Sequence, residues 1–132
     1  IDRYSFRIAD LYSRGKRHAE AIRLLERCIA ANPSQPLYYC SLGDELAALG
    51  RVDEAEAVYE TAAAKSPSGA YYNRLGNTLM KEKMFDRAAR AFEKAAAREG
   101  LRPFFVNLAR AYREMGLPEA AGEALRKAGE TS

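Results

Sequence analysis

The chain is poor in the groups from which catalytic and metal centres are built. It has one histidine, His18, and two cysteines, Cys28 and Cys40. One histidine without nearby cysteines or paired carboxylates excludes a structural zinc site. The cysteine spacing fits no metal or redox motif, and nothing in it requires an oxidising compartment. No glycine-rich phosphate loop is present; the nine glycines fall mostly at helix joints. No stretch approaches the ~18 apolar residues of a membrane helix, and no basic-then-apolar leader opens the chain. Without convergent reactive groups the expectation is a chain that is not an enzyme, with no catalytic residue, cofactor or metal. The first residue is Ile1 rather than Met, so a piece of a longer protein is expected.

What is present is ordinary for a globular chain of 132 residues: 48% hydrophobic and 30% charged, with a formal net charge of +3. The charge is uneven. Residues 1–66 carry 9 Lys and Arg against 10 Asp and Glu, whereas residues 67–132 carry 12 against 8. That bias falls short of the dense basic patch of a nucleic-acid binder.

The informative feature is an internal repeat. Ile8-Ala9, Leu42-Gly43, Leu75-Gly76 and Leu108-Ala109 are separated by 34, 33 and 33 residues. Ala21, Ala55, Ala88 and Ala121 keep those steps, as do Leu25, Tyr59, Phe92 and Leu125, and Cys28, Ala62, Ala95 and Ala128. Tyr39, Leu42, Gly43 and Leu46 share one helix face. At Gly43 the missing side chain lets a neighbouring helix come close, and Gly50 ends the helix. Asp53 and Glu56 read as a capping-box start for the next helix, with Asp86 as the equivalent N-cap. Pro67 closes the second unit, and Pro118 suits a first helical turn. The predicted helices are 2–14, 18–31, 36–49, 53–65, 69–82, 86–98, 102–115 and 118–129. A lone hairpin cannot bury its apolar stripe, so stacked hairpins share one core. Tyr39, Tyr72, Phe105, Tyr59 and Phe92 are expected on inter-helix faces as core rather than as a base-stacking stripe. His18 falls at a turn and is expected to be partly packed. Cys28 is expected to be a packed thiol, and a Cys28–Cys40 disulfide is disfavoured.

The order aromatic, Leu-Gly, Tyr, Ala, aromatic, Pro over about 34 residues resembles the tetratricopeptide repeat family. The match covers nearly the whole chain, in units of about 2–35, 36–68, 69–101 and 102–132, taken together as a single domain. Departures are Ser5 for the first aromatic, Gly15 one residue early, Lys83 for the turn glycine and Gly100 for the closing proline. The implied fold is all-α, a right-handed superhelical solenoid (α-α superhelix) of four hairpins with a concave face, and the implied role is binding a partner protein. The Ala- and Arg-rich composition suits a GC-rich bacterial genome, with cytoplasm and periplasm equally compatible.

The resemblance implies that the first helix of each hairpin lines the concave groove. The candidate partner-binding residues are Phe6, Asp10, Cys40, Asp44, Asn73, Arg74, Asn77, Lys81, Asn107, Arg110 and Arg113. Arg7, Ser13, Ser41, Ala47, Met80 and Val106 lie on the same face. Asp10, Asp44, Asn77 and Arg110 occupy equivalent positions and run acid, acid, amide, base. Asparagine offers both donor and acceptor, so it can hold a peptide backbone of any sequence. The expectation is an extended peptide with acidic side chains or a carboxylate near Arg110. Members that bind chaperone tails carry a two-carboxylate clamp. Counted from the first unit, Phe6, Asp10, Ser41, Ala70 and Arg74 match it only at Arg74. Counted from the third, Asn77 and Asn107 match, Asn73 replaces the lysine and the sequence then ends, so such tails are not expected partners unless a fifth unit follows. Single-stranded RNA is disfavoured by Asp10 and Asp44. The alternative role is a structural or oligomerisation segment. Its Ala-rich last helix, with Ala121, Ala124, Leu125 and Ala128 on one face, would then pack on further repeats or on a second copy.

Overall fold

The structure is a computed structural model that describes residues 2–130, with side chains from residue 5 onward. Among the described residues it has eight helices and no strands. They are α1 (Asp2–Arg14), α2 (His18–Ala31), α3 (Pro36–Ala48), α4 (Val52–Ala64), α5 (Ala70–Lys81), α6 (Phe85–Arg98), α7 (Arg102–Glu114) and α8 (Pro118–Glu130). Each span lies within one residue of its sequence expectation at either end. The last two residues of the expected fourth repeat, 131 and 132, lie outside the described residues.

The chain forms two compact units, Ile1–Ser66 and Pro67–Ser132. In the first, α1 packs on α2, α2 on α3 and α3 on α4. In the second, α5 packs on α6, α6 on α7 and α7 on α8, and α5 also touches α7. The core of the first unit gathers Ala9, Ala21, Ile22, Leu25, Leu42, Leu46, Ala47 and Ala55. The repeating columns are the buried ones: Ala21, Ala55, Ala88 and Ala121, then Leu25, Tyr59 and Phe92, then Cys28, Ala62, Ala95 and Ala128. Leu125 departs from its column, with 37% of its surface exposed.

Four hairpin turns share one backbone solution. In the second, Arg51 N–H donates to Leu46 O at 2.9 Å and Gly50 N–H to Ala47 O at 2.9 Å. These bonds satisfy carbonyls that a helix end leaves without partners, and they require a left-handed residue between them. The same pair recurs from Arg17 to Tyr12 with Lys16 to Ser13, from Met84 to Leu79 with Lys83 to Met80, and from Leu117 to Tyr112 with Gly116 to Arg113. The left-handed residues are Lys16 (φ 61), Gly50 (φ 79), Lys83 (φ 60) and Gly116 (φ 73). Gly15 thus lies one residue before the left-handed position, as its early placement in the sequence implies, and Lys16 fills that position. This turn also corrects the expected caps. Arg51 and Met84 are already the N-caps of α4 and α6, so Asp53 and Asp86 lie inside the first turn. There their charge favours the positive end of the helix dipole.

Arg17 and Arg51, at the N-caps of α2 and α4, reach three residues forward to carboxylates. Arg51 makes two bonds to Glu54, at 3.0 and 2.7 Å, which hold that carboxyl below its usual range. Glu20 is also lowered, first by a backbone hydrogen bond and then by Arg17. Both pairs are solvated and contribute little to stability.

Gly43 and Gly76 mark the closest approaches within hairpins. A Cβ at Gly43 would lie 2.5 Å from the Tyr59 ring, and one at Gly76 would run into the Phe92 ring. In the first hairpin the corresponding pair is Ala9 and Leu25, both in the core. Glycine thus faces an aromatic ring and alanine faces leucine.

Candidate interaction surface

In the first unit the expected groove residues are mostly engaged or covered. Phe6 packs on Tyr38, ring centroids 5.3 Å apart. Asp10 is exposed and pairs with Arg14 at 3.0 Å. Asp44 is half-buried and accepts a hydrogen bond from the Tyr59 hydroxyl of its own hairpin. Cys40 corrects the sequence expectation: it is fully buried rather than facing a groove. Helix α3 is packed on both α2 and α4 and buries Tyr38, Cys40, Leu42, Gly43, Glu45, Leu46 and Ala47. A side chain as small as cysteine is covered there by its neighbours. Both cysteines are buried.

In the second unit α5 and α7 bring several of the remaining residues together. Asn77, Met80 and Lys81 of α5 and Arg110 and Arg113 of α7 line an open cleft of about 820 Å³. Lys83, Phe85 and Glu114 complete it; none of these three is among the sequence candidates. Reading only the first helix of each hairpin leaves out Lys83 in the turn and Phe85 at the start of α6. Lys81, Lys83, Arg110 and Arg113 oppose the single carboxylate of Glu114, so the cleft is strongly cationic. Asn77, Lys81, Arg110 and Arg113 are exposed.

Beside the cleft, Asn107 Nδ2 donates to Asn73 Oδ1 at 2.8 Å, and Arg110 Nη1 donates to Asn107 Oδ1 at 3.2 Å. The two half-buried amides thus act on each other and on Arg110. Of the three asparagines only Asn77 is exposed and lines the cleft. Arg74 is half-buried and outside the cleft lining.

Of the aromatic residues, Tyr59 and Phe92 are fully buried and Tyr72 is nearly so. Tyr39 and Phe105 are only half-buried. The buried aromatics at the start of α3 and α7 are Tyr38 and Phe104, one residue earlier, a column the sequence reading did not separate. On the other side of α7, the Tyr112 hydroxyl donates to Glu93 at 2.5 Å. Burial first, and the Glu93 carboxylate second, push that hydroxyl up to about 12.

His18 meets a partner that the sequence did not reveal. Its Nδ1 lies 2.5 Å from Glu45 Oε2, and Glu45 is 5% exposed. Among the described residues no group of three His, Cys, Asp or Glu is placed to hold a metal ion. No helix among them is long and apolar enough to cross a membrane.

Residues 6–70 match a family model described as Tetratricopeptide repeat, and residues 69–99 and 103–129 match a second model with that description. No curated protein sequence matches at a significant level. Among solved structures the chain is similar to MamA, with a TM-score of 0.72 at 21% identity over 98% of this chain and 77% of that one. It is similar to BtubC (BKLC) from P. vanneervenii, with a TM-score of 0.72 at 22% identity over 98% of this chain and 62% of that one. It is also similar to pilF of Pseudomonas aeruginosa, with a TM-score of 0.71 at 19% identity over 96% and 59%. The chain thus spans under two thirds of the latter two, and at these identities the likeness is one of fold.

Proposed function

The chain belongs to the tetratricopeptide repeat family of protein-interaction modules, and we propose that its cleft between α5 and α7 binds an acidic peptide segment of a partner protein. Proteins of this family are generally non-enzymatic scaffolds. The observation that carries the proposal is the cleft's charge, with four cations around Asn77 and one carboxylate. Arg110 is held by the Asn107–Asn73 amide pair, and an ordered guanidinium loses less entropy when it grips a carboxylate. Met80 and Phe85 add an apolar floor, which favours a bulky apolar residue next to the acidic one.

The test is fluorescence anisotropy with the full chain and a labelled acidic peptide bearing a free C-terminal carboxylate. Binding should saturate and weaken as salt is raised, because the contacts are exposed and screened. Replacing Asn77 and Arg110 together with alanine should weaken it at least about tenfold, the effect of losing about 1.4 kcal/mol. Equal affinity in the double variant would remove the proposal.

A second reading is association through α8, supported by the exposed Leu125 on a helix that the sequence marks as Ala-rich. It predicts a mass that rises with concentration in light scattering and stays monomeric in Leu125→Glu. A wild-type chain that remains monomeric at high concentration would exclude it.

A further inference from the structure

The second unit has another cleft, on the side of α7 turned away from the basic one. Successive helical residues rotate by about 100°, so Leu108 and Tyr112 lie nearly opposite Arg110. This cleft has a volume of about 450 Å³ and an aromatic floor of Phe105 and Tyr112. Alanines form its walls, among them Ala96 of α6 and Ala124 of α8.

The repeat supplies an internal comparison. Ala96 and Ala124 correspond to Ile29 and Val58 in the first unit. Those two branched side chains pack against the core cluster there. The same place is therefore plugged in one unit and left open in the other.

The aromatic floor has a second distinguishing property. Phe105 belongs to the column of Tyr39 and Tyr72. The Lys65 ammonium lies 5.2 Å from the Tyr39 ring centroid. The Tyr72 ring carries Lys94 at 5.6 Å and Arg98 at 5.0 Å. In the fourth repeat the Lys94 position is Lys127, on the rim of this cleft, and the Arg98 position is the uncharged Thr131, so one of the two cationic places is lost. The rim adds two carboxylates, Glu93 and Glu123, against the one ammonium of Lys127. Glu93 accepts the Tyr112 hydroxyl on one side, and Glu123 is paired with Arg126.

We infer that this cleft binds an arginine side chain of a partner protein, its guanidinium over Phe105 and its methylene stem between the alanine walls. A planar cation stacks on an aromatic face and reaches carboxylates at the edge in one pose, and the alanines leave room for an apolar stem. The inference is independent of the acidic-peptide reading, since it concerns the other face of α7 and the opposite charge.

The experiment is a titration of the full chain, with alanine methyls and phenylalanine rings labelled for NMR, by a short capped peptide containing two arginines. A matched peptide with citrulline in place of arginine keeps the shape and removes the charge. The arginine peptide should shift the Ala96 and Ala124 methyls and the Phe105 ring in a saturable way, and the citrulline peptide should not. The double variant A96I/A124V copies the first unit and should weaken binding at least about tenfold, read at Phe105 and Ala120. If that variant fails to fold, E93Q/E123Q provides the same reading without adding bulk. No shift at these nuclei up to roughly 10 mM peptide, equal binding of the citrulline peptide, or affinity unchanged in a folded variant would overturn the inference.

Discussion

Among the described residues Glu45 is the one charged side chain that is buried, and His18 is the group that meets it, at 2.5 Å. A buried carboxylate deprived of its partner incurs the full cost of its desolvation. His18→Ala should therefore destabilise the chain by about 1–3 kcal/mol, measured by urea unfolding; an unchanged midpoint would mean that Glu45 finds other solvation. Lys83 offers the opposite case. Its φ of 60° is a conformation that costs an L-residue about 1 kcal/mol or more, yet it lines the basic cleft. Lys83→Gly should raise stability by about 0.5–1 kcal/mol and weaken acidic-peptide binding. Lys16→Gly, at the equivalent left-handed position in the first unit, should raise stability alone. A Lys83→Gly variant that binds the peptide as well as wild type would separate the strained lysine from function.

At the scale of the element, the hairpin is set by one size match. Gly76 sits against Phe92 so closely that any Cβ collides with the ring, while the first hairpin pairs Ala9 with Leu25. Gly76→Ala should cost about 1–3 kcal/mol through overpacking, despite the better helix propensity of alanine. Phe92→Leu alone leaves a void. Combined, G76A/F92L should recover part of both losses, with a favourable coupling of about 1 kcal/mol in a double-mutant cycle. Additive losses in thermal unfolding would show that the two positions do not share one contact. Much of this element was legible in the sequence: glycine before an aromatic column, proline at helix starts, and the helix spans themselves. The N-caps were not. Asp53 and Asp86 look like caps because Asp often caps, but the hairpin turn closes through backbone bonds and starts the next helix earlier.

At the scale of the whole molecule, the uneven charge separates the two units. The excess of Lys and Arg lies in residues 67–132, while residues 1–66 are nearly balanced. In the first unit Cys40 is buried and Asp44 is held by Tyr59. An acidic peptide should therefore shift NMR signals of residues 77–114 and leave those of residues 6–47 in place. Equal shifts in both stretches would contradict a site carried by α5 and α7 alone. The candidate surface was legible only in part. Periodicity marks which helix faces lie off the core columns, so Asn77, Lys81, Arg110 and Arg113 could be named. It does not say that two amides will pair with each other, or that a turn lysine will line the cleft.

By itself, the order of residues determined eight helices, their spans to within a residue and most of the buried columns. Hydrophobic period, glycine and proline act over one or two helical turns and need no knowledge of distant partners. Tertiary structure alone decided which side chains remain available. Burial of Cys40, the Glu45–His18 contact and the opening between Ala96 and Ala124 depend on residues of different helices, far apart in the chain, meeting in space, where volume and charge are matched across helices and not along them.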